Sequence, residues 1–278
     1  MDALRAGSHH ATTSLRVTLA SLLQSWRYWS ERRAIARRPI PDDLWQRTLR
    51  RYPFLQRRSP ADSAQLRRLT SLFLDSKEFT AIGKLRLSND LVVAIAAQAC
   101  LPVLHLGLAR YSGFVGIVVH ADQLLAKREV VDDDGIVHNF DEVLSGEAMA
   151  GGPVTLSWRD VRASGQSAHE GYNVVIHEFA HVLDMQAGVP DGTPAMPSHL
   201  AVKYWRATLQ GEYAAFVQRI ESGQTPALDT YGAQSLDEFF AVATEAFFVA
   251  PGRLQSEHPA LYELFKSFYQ QDPAIEIS

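Results

Sequence analysis

The stretch Ile176 to Asp184 sets two histidines four residues apart, with a glutamate directly after the first. His177-Glu178-Phe179-Ala180-His181 is an H-E-x-x-H pattern. On an α-helix, residues four apart share a face and are separated by about 6 Å of rise. Two imidazoles so placed can share one Zn²⁺, and Glu178 can reach the water that such an ion activates. Glu178 would then take a proton from that water and return it to a leaving amine. The flanks argue against chance. Asn173-Val174-Val175-Ile176 leads in and Val182-Leu183 leads out, so the helix is apolar on several sides and is predicted to be buried. Two imidazoles and a carboxylate are costly there unless a metal or hydrogen bonds compensate them.

A catalytic zinc takes three protein ligands and keeps one position open. A metzincin would supply the third from a His six residues beyond His181, with Gly at the third, but Ala187 and Asp184 occupy those positions. The remaining route is an acidic residue on a later helix. The segment Tyr231 to Ala241 supplies one, with Glu238 at the head of an apolar run as first choice and Asp237 and Glu245 as alternatives. Asp184 either orients a ligand imidazole or makes an ordinary salt bridge or helix-end contact. His105, His120, His138, His169, His199 and His258 have no ligand spacing and read as structural or surface residues.

The chain must be long enough to bury such a site. Its 278 residues, 46% hydrophobic and 21% charged, suit a soluble globular protein built as one large domain or a catalytic domain with a helical extension. The single cysteine, Cys100, excludes an internal disulfide, fits a reducing compartment and reads as a buried structural thiol. No segment offers the ~20 apolar residues of a membrane span, and Leu15 to Leu23 is too short and polar for a signal core. A cytoplasmic protein with no membrane partner is expected.

The net charge of −4 hides an asymmetry. Residues 1–70 carry fourteen Arg, no Lys and five acids, a net of +9, and the remainder a net of −13. The arginines alternate with Leu, Trp and Tyr at helical spacing, which favours docking on the chain's own acidic part or on a partner. No nucleic-acid module is recognisable, so no direct nucleic-acid contact is expected.

Residues 1–12, with Gly7-Ser8-His9-His10, read as disordered or left by an expression tag. Residues 13–60 read as a basic helical extension, 61–273 as the catalytic domain and 274–278 as a tail. An amphipathic helix over 13–35 places Trp26 and Trp29 on its apolar side and is broken by Pro39 and Pro41. Further helices are predicted through Trp45 and Leu49, after Ser59, and from Leu91 to Cys100 behind Ser88. A short strand falls within 79–87. Gly116 to His120, Glu129 to Val131 and Gly151 to Trp158 have strand composition, and Pro153 marks the last as a sheet edge that could pair with substrate backbone. The alternative there is an internal strand. Asp132 to Gly135 reads as a solvated acidic turn. The chain then turns helical: from Ala168 to about Gln186, from Ser198 to about Glu221, from Ser235 to Phe248 with Pro251-Gly252 ending it, and from about Pro259 to Tyr269. The sum is an α+β fold with a small mixed sheet, an active-site helix and mainly helical N- and C-terminal parts.

Several separate pieces match one known group. They are Leu101 to Leu104 with Gly107-Leu108, Gly135 to Asn139, Gly152 to Trp158, Ile176 to Asp184, Tyr231 to Phe247 with Ala250-Pro251, and Phe268 to Pro273. Together they resemble the Mlc titration factor A (MtfA) family of bacterial cytoplasmic zinc metallopeptidases. The resemblance covers about residues 64–273, and residues 1–60 show no clear match. It implies one catalytic Zn²⁺ held by His177, His181 and Glu238, with Glu178 as catalytic base. Tyr231, seven residues before Glu238, would be the active-site tyrosine donating to a developing oxyanion; its alternative is a core tyrosine capping the next helix. A similar Tyr-to-Glu spacing in the catalytic domain of anthrax lethal factor implies a zincin-like, gluzincin fold. The implied activity is hydrolysis of peptides, aminopeptidase-like on short ones, tied to regulation of glucose phosphotransferase expression. The alternative is a regulatory interaction protein that binds and titrates an Mlc-like transcription repressor, with peptidase activity secondary.

Overall fold

The computed structural model describes residue 26 and residues 28–131, 137–166 and 171–275. Residues 28–37 form helix α1. There follow α2 (Asp42–Arg51), α3 (Pro60–Ser76), β1 (Glu78–Ala81), α4 (Asn89–Cys100), β2 (Gly116–His120), β3 (Leu124–Val131) and β4 (Val137–Leu144). After these come β5 (Gly146–Ala148), β6 (Val154–Ser157), α5 (Trp158–Ala163), α6 (Val174–Asp184), α7 (His199–Glu221), α8 (Leu236–Val249), α9 (Pro251–Glu257) and α10 (Pro259–Tyr269). The result is α+β and mostly helical.

The mixed sheet runs β1-β2-β6-β5. β1, β2 and β6 are parallel, with Phe79 opposite Ile117 and Ile117 opposite Val154. β5 closes the sheet antiparallel to β6, with Glu147 opposite Thr155. β6 is therefore internal, and the edge that its proline suggested belongs to β5. Pro153 stands just before the first paired residue, Val154, where a missing N–H interrupts no ladder bond. β3 and β4 form a separate antiparallel pair.

Helix starts follow the local chemistry. Ser59, Ser88, Asn173, Ser198 and Ser235 each accept a hydrogen bond from the backbone N–H three residues on, which satisfies a donor the helix cannot. The helix from Ser235 ends at Val249 with Ala250 as its C-cap, as Pro251-Gly252 led one to expect, and Pro251 also opens α9. Proline is preorganised for the first helical position, where its missing N–H is no loss.

One core joins the sheet to the helices. Ile117, Val119, Val154 and Leu156 are buried on the sheet, and Val175, Ile176, Phe179 and Leu183 on α6. The Phe179 ring lies 4.9 Å from that of Tyr111 and 5.7 Å from that of Phe73, centroid to centroid, so α6 is fixed from its back by an aromatic cluster. Leu44, Trp45, Leu49, Tyr52 and Phe54 belong to the same core. Cys100 is fully buried, and burial pushes its thiol pKa up. Trp26 and Trp29, expected on an apolar side, are 63% and 54% exposed. Arg33 lies 4.5 Å over the Trp29 ring in a cation–π contact. The Leu15 to Leu23 stretch, the Asp132 to Gly135 turn and His169 fall outside the described residues. Among the described residues no helix is long and apolar enough to cross a membrane.

Candidate metal centre

α6 and α8 face each other at the site. The Asn173 side chain caps α6 by accepting from Ile176 N, and its Nδ2 donates to Gln98 Oε1 of α4 at 2.8 Å. That fixes the start of α6, and helical geometry then puts His177 and His181 on one face a turn apart. Ser235 caps α8 through the Glu238 N–H, so Glu238 projects from its first turn toward the two imidazoles. Glu238 Oε2 is 3.0 Å from His177 Nε2 and 3.4 Å from His181 Nε2, and the two Nε2 atoms are 3.2 Å apart. Among the described residues these three form the one group arranged to hold a metal ion.

The donor set fits an ion physically. His177 Nδ1 lies 2.7 Å from Glu245 Oε1, so in the neutral ring the proton placed on Nδ1 donates to Glu245. Nε2 then offers a lone pair toward His181 and Glu238. Glu238 Oε2 is buried and has no hydrogen-bond partner. Two atoms each about 2.05 Å from a tetrahedral ion stand about 3.3 Å apart, and the observed separations centre on that distance. A His₂Glu set with nitrogen and carboxylate oxygen suits zinc.

The surrounding carboxylates make the site favour positive charge. Burial opposes a charged His177, yet the carboxylates of Glu245, Glu238 and Glu178 outweigh it and raise its pKa well above the usual value. Burial would raise Glu238, but His177 and His181 hold it down at about 2. Burial pushes Glu178 up to about 7 despite both imidazoles, and raises Glu245.

Glu178 is 5% exposed and lies beneath the edge strand. A Cβ on Gly146 of β5 would stand 2.5 Å from Glu178 Oε1 and 2.6 Å from its Cγ. Only glycine lets the strand lie this close. A cavity of about 310 Å³ opens here, lined by Gly146, Tyr172, His177, Glu178, Asp229 and Tyr231 among others. No Lys or Arg lines it among the described residues. The half-buried Tyr231 ring stands 6.0 Å from that of His177, and Asp229 Oδ1 fixes its turn by accepting from Tyr231 N.

The structure thus brings His177, His181 and Glu238 together and sets Glu178 and Tyr231 at the adjoining cavity. Asp237 lies outside the group. Glu245 stands behind His177 rather than beside the three donors, and its Oε2 accepts from Asn173 N. Asp184 Oδ2 accepts from Gly192 N at 2.8 Å and so holds the loop after α6. His258 is buried against Glu212, 2.7 Å away. Sequence reasoning missed Gly146, whose neighbour is distant in the chain. It named Glu245 only as a possible ligand, although a carboxylate seven residues past Glu238 on the same helix was signal enough for a supporting role.

The chain is similar to known proteins. The sequence model of the glucose-regulated metallo-peptidase M90 family matches residues 26–270, starting well before the motifs that first carried the resemblance. An Mlc titration factor A of Klebsiella pneumoniae is 36% identical over 236 residues, 84% of this chain and 88% of that protein. One of Edwardsiella ictaluri is 34% identical over 224 residues, 80% of this chain and 85% of that protein. An uncharacterised protein of Synechocystis sp. is 32% identical over 252 residues, 90% of this chain and 91% of that protein. The protein is a metallopeptidase: the chain belongs to the glucose-regulated metallo-peptidase M90 family.

Proposed function

We propose that this is a zinc-dependent peptidase of gluzincin type, with His177, His181 and Glu238 as ligands, Glu178 as general base and Tyr231 as oxyanion donor. The observation that carries the reading is the convergence of three lone-pair atoms 3.0–3.4 Å apart, with a buried carboxylate alongside. Bound zinc would supply Lewis acidity, polarising a peptide carbonyl and acidifying water. Glu178, its pKa raised to about 7 by burial, is suited to accept a proton from the attacking water and deliver it to the leaving amine. Its position against Gly146 fixes that carboxylate. Tyr231, whose ring stands 6.0 Å from that of His177 at the cavity, would donate a hydrogen bond through its hydroxyl to the oxygen that gains charge. Glu245 holds the His177 ring in the tautomer that presents Nε2.

Aminopeptidase-like action on short peptides is part of this reading. Asp229, a carboxylate at the cavity wall besides the base and the partner of His177, suits a substrate with a free α-ammonium. The free edge of β5 offers backbone groups to an extended peptide. Cytoplasmic placement rests on the family resemblance and on the reduced, buried Cys100. A second reading comes from the relatives' name, Mlc titration factor A: the protein would bind an Mlc-like repressor and so affect glucose-regulated expression.

One experiment tests both readings. Glu178→Gln should keep the metal and lower peptide hydrolysis by about 10²-fold or more, with substrates carrying a free N-terminus cleaved better than acetylated ones. Full hydrolysis in this variant would refute the catalytic reading. Repressor binding that survives in the variant would support a separate binding role.

A further inference from the structure

The arginines near the N-terminus divide into two sets. Arg37, Arg47, Arg67 and Arg68 are paired with Asp75, with Asp43 and Asp90, with Asp42, and with Glu31. Arg50 and Arg51, in the last turn of α2, have no ion pair among the described residues, nor do Arg159 and Arg162 of α5. α2 and α5 are pressed together at these ends. Tyr52 donates its hydroxyl to Val161 O at 3.0 Å, and a Cβ on Gly165 would meet Arg51 O at 2.2 Å.

Two recesses open along this junction. One, of about 570 Å³, is lined by Arg47, Arg50, Arg51 and Arg162, with Asp90 paired to Arg47. The other, of about 400 Å³, is lined by Arg51, Arg159 and Arg162 with Asp122. They share Arg51, Arg162 and Gln166, and neither shares a residue with the metal-centre cavity.

Cations at helix C-termini have an ordinary explanation, since each end carries about −0.5 charge. Two ends and Asp122 together offset about two of these four guanidinium charges, which have no ion pair among the described residues, leaving about +2. Arg159 is not explained this way at all, because it sits in the first turn of α5, where the dipole disfavours a cation. The residual charge is concentrated in two recesses of small-ligand size, in a chain whose residues beyond 70 carry a net of −13.

We propose that the two recesses form one binding site for a small molecule carrying two phosphate-type groups, one per recess, with Arg51 and Arg162 between them. The guanidinium fork matches phosphate oxygens two at a time, and recesses rather than a flat track favour a compact ligand over a nucleic acid or an acidic protein.

Calorimetric titration of the zinc-loaded protein with pyrophosphate and with inorganic phosphate, at about 0.15 M salt, tests this. Pyrophosphate should bind one to one and at least about tenfold more tightly than phosphate. Arg51→Ala and Arg159→Ala should each weaken it about tenfold or more, and Arg51→Lys should do so while keeping the charge and the fold. Arg86→Ala, away from the junction, should change nothing. Failure of pyrophosphate to saturate overturns the proposal. So does binding that survives the arginine changes, which pyrophosphate reaching the metal centre would give. An acidic peptide or a duplex that binds through these arginines while pyrophosphate does not also overturns it.

Discussion

Gly146 and Glu178, distant in the chain, approach so closely that a Cβ on the glycine would stand 2.5 Å from the carboxylate. The absent Cβ leaves room for a carboxylate that is otherwise enclosed. Gly146→Ala must move either β5 or the Glu178 side chain by about 1 Å, a displacement that costs catalysis about 10²-fold. The expected result is a fall in kcat with zinc content and melting temperature near those of the parent; unchanged kcat would show that the contact does not position the base. The H-E-x-x-H residues were legible in the sequence because helical spacing alone puts 177 and 181 on one face. Glu238 could be narrowed only to three acids, because which carboxylate faces α6 depends on how α8 packs. Gly146 was illegible, since its closeness to Glu178 arises from sheet pairing and helix packing together.

α6 is held at both ends, by the Asn173 cap and by Asp184, whose carboxylate binds the Gly192 N–H. Burial pushes the Asp184 carboxyl up to about 6, against about 4 in an unfolded chain. The folded state therefore holds an extra proton between those values, and its stability falls as pH rises through that window and stays at the lower level above it. Asp184→Asn keeps an acceptor for Gly192 and removes the ionisation. In the metal-free protein, denaturant unfolding should show the variant gaining on the parent from about pH 4 to about pH 7; a difference independent of pH would contradict this. Helix starts were readable from Ser59, Ser88, Ser198 and Ser235, whereas α6, expected from about Ala168, begins at Val174 behind Asn173. Strand order was not readable. Pro153 pointed to an edge that β5 occupies instead, because residue type fixes tolerance for a missing N–H and not the identity of the neighbouring strand.

At the scale of the whole molecule, the sheet, the aromatic cluster behind α6 and the α7–α10 helices leave α6 and α8 little freedom, so the metal centre is a property of the core rather than of a loop. The α+β class followed from the run of short strands before a run of helices. The spacing of the arginines left open whether the basic extension docks on the rest of the chain or on a partner, and Trp45, Tyr52 and Phe54 are buried in the same core as α6. The central claim is that His177, His181 and Glu238 bind one zinc ion. Metal analysis of the purified protein with anomalous diffraction at the zinc edge tests it most directly. One zinc per chain, its peak bounded by His177 Nε2, His181 Nε2 and a Glu238 carboxylate oxygen and lost in His177→Ala, is the predicted result. A chain that binds no stoichiometric zinc, or a peak held through Asp237 or elsewhere, would contradict it.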